Sequence, residues 1–182
     1  MVIGVRNMTN FNTKICKYIY KNDLESLKLI FQSEKSMIDI NAIDDDGYSF
    51  LDSAIVSEFE EGALFLIEQG INTLNHTEND GWTIHLAIEY GMESIIKKII
   101  EQHGGCINLL DEQGQTPIRI TSVKIRIQPE IYLPIFEMLI KNGADPYIKN
   151  KFGKSAIDAI DTFCDTEKNE IYKLNEKYKF IH

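Results

Sequence analysis

The sequence predicts an all-α stack of helix-pair repeats, and three observations predict it. Glycines 47, 81, 114 and 153 recur at intervals of 34, 33 and 39 residues. Each stands in a polar turn and is followed two residues later by Ser49, Thr83, Thr116 or Ser155, whose oxygen can accept an orphan N–H at the start of a helix. Downstream, apolar residues at helical spacing lead to Gly70, Gly104 or Gly143, the expected helix stops. A recurring period of this length marks an array of supersecondary units.

The units run over about 12–43, 44–77, 78–110, 111–149 and 150–180, within a single domain 1–182. The first lacks the capped start but keeps Asn22 to Phe31 as its second helix, and so reads as an N-terminal cap. In the second, the acidic turn Asp44-Asp45-Asp46-Gly47-Tyr48 leads to a short helix, and Leu64, Phe65 and Ile67 mark the next one. The third opens with Glu78-Asn79-Asp80-Gly81-Trp82-Thr83 and is one residue short between Thr83 and His85. Its second helix carries Ile95, Ile96, Ile99 and Ile100. The fourth has Pro117 at the first helical position, where no N–H is needed, and Ile135, Phe136, Leu139 and Ile140 on its second helix. About six extra residues, Lys124 to Glu130, separate its two helices. The fifth begins at Asn150-Lys151-Phe152-Gly153 and ends in a polar helix, Glu167 to Lys179, suited to a solvated C-terminal cap.

This pattern resembles the ankyrin repeat, which runs D-x-x-G-x-T-P-L-H-x-A, then a short second helix, then G-A-D-x-N. Gly143-Ala144-Asp145 is a full match, Asp39-Ile40-Asn41-Ala42 and Asn108 are partial ones, and Thr83 with His85-Leu86-Ala87 and Thr116-Pro117-Ile118 are the best helix starts. The resemblance covers roughly residues 12 to 178. It implies an all-α ankyrin-repeat solenoid of about five helix-pair units with degenerate N- and C-terminal caps, and turns rather than a real sheet. It also implies that His85 hydrogen-bonds the turn backbone of a neighbouring repeat rather than acting in catalysis.

The charge distribution says more than its total of −9. Between Ser36 and Ile96 there is no Lys or Arg, while the same 61 residues carry 13 Asp and Glu. The remaining 121 residues hold 15 acidic and 19 basic residues, a net +4. A long acidic stretch repels phosphate and attracts basic surfaces, so a basic protein is the expected partner and nucleic acid is not. The longest apolar run, Ala63 to Ile67, is too short to span a bilayer, and the N-terminus shows no secretory pattern. Cys16, Cys106 and Cys164 are scattered and read as reduced thiols of a cytoplasmic chain. The chain is expected to be a monomer when free.

Chemistry-bearing motifs are absent. The His103-x-x-Cys106 pair has no second pair at ligand spacing, whereas zinc needs about four ligands. Asp44-Asp45-Asp46-Gly47 lacks the calcium-loop ligands that would fall at Ala42 and Ser53. No phosphate loop, nucleophile elbow or H-E-x-x-H is present. The reading is therefore no enzyme, no cofactor and no metal; a small enzyme or metal protein on a repeat scaffold is the alternative of another class.

By the resemblance, residues flanking each turn glycine project from the hairpin tip, and the first helix continues that surface. The candidate partner-binding residues are Asp45, Asp46, Tyr48, Asn79, Asp80, Trp82, Glu89, Tyr90, Glu112, Gln113 and Gln115. Val56, Ser57, Lys151, Phe152 and Lys154 occupy equivalent positions. Tyr48, Trp82 and Tyr90 are large aromatics at places the fold does not need, and aromatics of this kind anchor interfaces. The expected function is a protein–protein interaction module binding a basic partner, most specifically an inhibitor such as a toxin-neutralising immunity protein. A bacterial or viral effector or scaffold binding a host protein is the alternative.

Overall fold

The computed structural model describes residues 3–44, 47–77, 80–163 and 165–179, with side chains from 12 onward apart from 165–167. Ten α-helices form among them, and the only strands are the two-residue pieces β1 (His76–Thr77) and β2 (Gly81–Trp82). The chain divides into two compact units, Met1–Thr77 and Glu78–His182. Each is two layers of helices, with first helices packed side by side and second helices behind them.

In the first unit, α1 (Ile3–Tyr20) packs on α2 (Leu24–Ser33) and α3 (Phe50–Val56), and α4 (Glu60–Glu68) packs behind α3 and beside α2. Asp23 starts α2 by accepting the Ser26 N–H at 3.0 Å. Ser49 starts α3 with a full capping box: Asp52 N–H bonds the Ser49 oxygen, while Ser49 N–H and Oγ–H bond the Asp52 carboxylate. Asp52 is wholly buried, and the Asn75 amide donates to the same oxygen at 2.7 Å, so its charge is met from three sides. Ile15, Ile19, Leu27, Leu51, Ala54, Ile55, Ala63 and Leu66 are completely inaccessible and form the core.

Leu64, one of the residues whose apolar spacing marks α4 and would put it in the core, is only half-buried. The buried stripe runs through Phe59, Gly62, Ala63, Leu66 and Ile67, at spacings of three and four residues. Leu64 and Phe65 lie beside that stripe, and Phe65 meets Phe31 of α2 edge-on, with ring centroids 5.4 Å apart.

In the second unit, α5 (Thr83–Glu89) packs on α6 (Glu93–Gln102) and α7 (Pro117–Lys124). Helix α7 in turn packs on α8 (Pro129–Lys141) and α9 (Ala156–Ile160), and α10 (Asp165–Tyr178) lies against α8. Ile95, Ile96, Ile99, Ile135, Phe136 and Leu139 are fully buried, as their helical spacing predicts. Pro117 does open α7, behind the Thr116 cap. Gly104 is not a left-handed helix stop. Helix α6 ends at Gln102, and Gly104 opens a 3-10 segment, Gly104–Asn108, held by the Cys106 N–H on the His103 carbonyl.

The missing residue of the third repeat moves its cap. In α3 and α9 the cap is Ser49 or Ser155, and a carboxylate three residues on, Asp52 or Asp158, accepts the cap's own N–H. In α5 the cap position is Trp82, not Thr83, and the residue three on is His85. Its Nδ1 accepts the Trp82 N–H at 3.1 Å. The other ring nitrogen lies 3.1 Å from the Leu109 carbonyl, so Nε2 carries the proton and donates there.

Asn side chains supply a second kind of link between successive turns. The Asn41 carbonyl oxygen accepts the Asn72 N–H at 2.8 Å in the first unit, and Asn108 accepts the Asp145 N–H at 2.9 Å in the second. These bonds cross one repeat period and satisfy backbone donors that no helix uses.

Candidate protein-binding surface

The candidate residues fall on both units. In the first, Asp45 and Asp46 lie outside the described residues. Tyr48 follows the turn glycine and is half-buried, its N–H held by the Asp44 carboxylate at 2.9 Å. In the second, Asn79 lies outside the described residues, and Asp80 and Trp82 flank Gly81 half-buried. Glu89 and Tyr90 end α5, with Tyr90 40% exposed. Glu112 and Gln113 are exposed on the next turn and Gln115 is half-buried.

Why these turns stand close together is visible in the backbone. Gly81 has φ +71°, and a Cβ there would come within 2.8 Å of the Asp111 Cβ, so only glycine lets the two turns approach. The Lys151 N–H donates to the Gln113 carbonyl at 3.0 Å, joining that turn to the one after it. Within a turn, one oxygen of Asp111 accepts the N–H groups of Gln113 and Gln115 at 2.8 and 2.7 Å. Asn150 does the same for Phe152 and Lys154. Asp111 and Asn150 thus act as clasps of their turns.

Two candidates, Gln115 and Glu89, have side chains bonded within the chain. Gln115 donates its side-chain amide to Asp111 at 3.2 Å, which ties it to its own turn. The Glu89 carboxylate pairs with Lys124, whose ammonium also donates to the Glu89 carbonyl at 3.2 Å. The Tyr132 hydroxyl donates to that same carbonyl at 3.2 Å. Burial by itself lowers the Lys124 pKa, but the Glu89 hydrogen bond and charge, with Tyr132, raise it overall. Glu89 is therefore neutralised by a residue at the start of the inserted segment. That pairing spans 35 residues, close to one repeat period, which is the only sequence signal that could have shown it.

Among the described residues no cluster of three or more His, Cys, Asp and Glu side chains could hold a metal. No helix among them is long and apolar enough to cross a membrane. The Cys106 thiol is pushed up to about 11 by burial, which opposes the thiolate that metal binding or nucleophilic attack needs. Cys16 is also raised, first by burial and then by the Asp44 charge. Cys164 lies outside the described residues. His85 is buried with both ring nitrogens occupied by backbone, the place the resemblance assigns it.

The helix pairs, clasped turns and buried motif histidine define an all-α ankyrin-repeat fold. The comparisons with known proteins agree. The chain is 30% identical over 96 residues to an ankyrin repeat-containing protein of Schizosaccharomyces pombe, a match over 52% of this chain and 42% of that protein. It is 31% identical over 80 residues to an ankyrin repeat-containing protein of Saccharomyces cerevisiae, over 42% of this chain and 44% of that one. The chain thus spans less than half the length of the curated relatives it matches. No protein-family profile matches it. The chain resembles ankyrin-repeat proteins in its sequence motifs, its period and its fold.

Proposed function

We propose that this chain is a protein–protein interaction module that binds a basic partner through acidic and aromatic residues of its second and third repeats. The observation that carries the reading is the 61-residue stretch with 13 acids and no Lys or Arg. The helix pairs place Asp80, Trp82 and Tyr90 of that stretch on the turn and the end of one helix, α5. Opposite charge would speed encounter and reject wrong partners, while Trp82 and Tyr90 would supply buried contact area. The finer reading is an inhibitor that covers a basic substrate cleft, as a toxin-neutralising protein does; the acidic bias is what favours it.

The test is affinity capture from cells that express the protein, run at low and high salt, with the wild type and the Asp80→Lys/Glu112→Lys variant side by side. A basic protein retained by the wild type at low salt and lost from the variant is the expected result. A captured protein that is acidic, or that the variant retains equally well, refutes the reading.

A further inference from the structure

The second unit carries a groove of opposite character. It lies between α7 with its following turn and α9, has a volume of about 250 Å³, and is lined by Arg119, Val123, Arg126, Lys154, Asp158, Ala159 and Thr162. Three cations thus face one anion. That anion is already engaged: one Asp158 oxygen accepts the Ser155 N–H at 2.7 Å and the Ser155 hydroxyl at 2.8 Å, closing the cap of α9. Arg119 is left in deficit. Its Nε and Nη1 are buried and have no hydrogen-bond acceptor in the structure, although buried donors nearly always find one. Burial lowers the pKa of this guanidinium and the Asp158 charge only partly opposes that.

We propose that this groove receives an acidic segment of a partner protein, with a carboxylate meeting Arg119 while Arg126 and Lys154 surround it with positive charge. A carboxylate in the groove meets the excess positive charge of Arg119, Arg126 and Lys154, the groups with which carboxylates pair best. Val123 and Ala159, which line the same groove, give the apolar neighbour of that carboxylate a surface to cover. The groove is larger than a lone phosphate fills, and Asp158 on its wall disfavours a dianion more than a single carboxylate. This surface is independent of the acidic residues of the second and third repeats.

The experiment uses the full chain with isotope-labelled Arg side chains and backbone. The probe is a blocked Glu-Leu-Glu-Leu-Glu peptide, run against Lys-Leu-Lys-Leu-Lys and against inorganic phosphate. The acidic peptide is expected to shift the Arg119 Nε–H resonance and the Val123 and Ala159 amides. Arg119→Gln should weaken its binding by about tenfold or more, the scale of one charge-assisted hydrogen bond. Lys141→Gln, away from the groove, should leave binding unchanged. Arg126 is exposed, so Arg126→Gln gives the same test without disturbing the core if Arg119→Gln folds poorly. The proposal is overturned if the acidic peptide shifts none of these resonances, or if the basic peptide shifts them equally. It is also overturned if phosphate saturates them where the peptide does not, or if neither groove variant weakens binding.

Discussion

Replacing His85 tests the structural role of the one buried histidine among the described residues. The ring is 1% exposed and makes two backbone bonds, accepting from Trp82 N–H and donating to the Leu109 carbonyl, both at 3.1 Å. His85→Leu keeps most of the bulk and removes both bonds. Each intramolecular bond is worth about 0.5–1.5 kcal/mol net, and a buried polar group left without its partner costs about 1–3 kcal/mol. The loss should therefore be about 2–4 kcal/mol, a large fraction of the roughly 5–15 kcal/mol that holds a typical domain together. His85→Asn places an acceptor where Asp52 and Asp158 place theirs, three residues after the cap, but cannot reach Leu109. It should lose about half as much, since one of two comparable bonds survives. The assay is urea unfolding followed by helical circular dichroism, with amide exchange to locate the opening. If the Leu variant matched the wild type, or the Asn variant were as damaged as the Leu variant, the two-bond account of His85 would be wrong.

Four further outcomes follow from the same structure. Ile96→Ala and Leu139→Ala, both at fully buried positions, should each cost about 2–5 kcal/mol by urea unfolding, and Leu64→Ala clearly less because Leu64 is half-buried. The Glu137 carboxyl is held below its usual range by hydrogen bonds from Lys177 and then Tyr178, and Asp158 by those from Ser155. Their folded values lie below the unfolded ones, so their contribution is complete above about pH 5 and is lost as pH falls through the folded values. Glu137→Gln should flatten that acid limb of a stability–pH profile. Cys106, pushed up to about 11, should resist iodoacetamide at neutral pH in the folded protein and react once urea unfolds it, as peptide mapping would show. With a partner in hand, Trp82→Ala should weaken binding by about 2 kcal/mol or more. Reversing Asp45, Asp46 and Asp80 should instead slow association in a way that salt suppresses, and reversing Lys151 and Lys154 should matter less in that complex.

Much of the fold was legible in the sequence because its signals are local and repeated. Gly47, Gly81, Gly114 and Gly153 all adopt positive φ, and Ser49, Thr116 and Ser155 all cap helices. A turn residue and a cap act within three or four positions of themselves, so a single chain read in order shows them, and recurrence at a fixed period makes four weak signals one strong one. Amphipathic spacing likewise marked Ile95, Ile96, Ile99 and Ile100. It failed at α4, where Ala63, Leu64, Phe65, Leu66 and Ile67 are all apolar and the pattern alone cannot choose a face.

The candidate surface was less legible, because exposure and engagement are decided by neighbours one period away. Tyr48 and Trp82 stand beside turn glycines as expected, yet both are half-covered. Nothing near Glu89 in the chain shows that Lys124 will neutralise it, and nothing near Arg119 shows that Asp158 will turn to its own cap instead. The deletion after Thr83 could be counted in the sequence, but only packing against Leu109 shows that His85 absorbs it. By itself, then, the sequence determined the period, the turns, most of the caps and the acidic stretch, since each depends on residues a few positions apart. The tertiary structure alone decided which charges remain available and which are paired, because Coulomb attraction and hydrogen bonding depend on distances in space that only stacked repeats create.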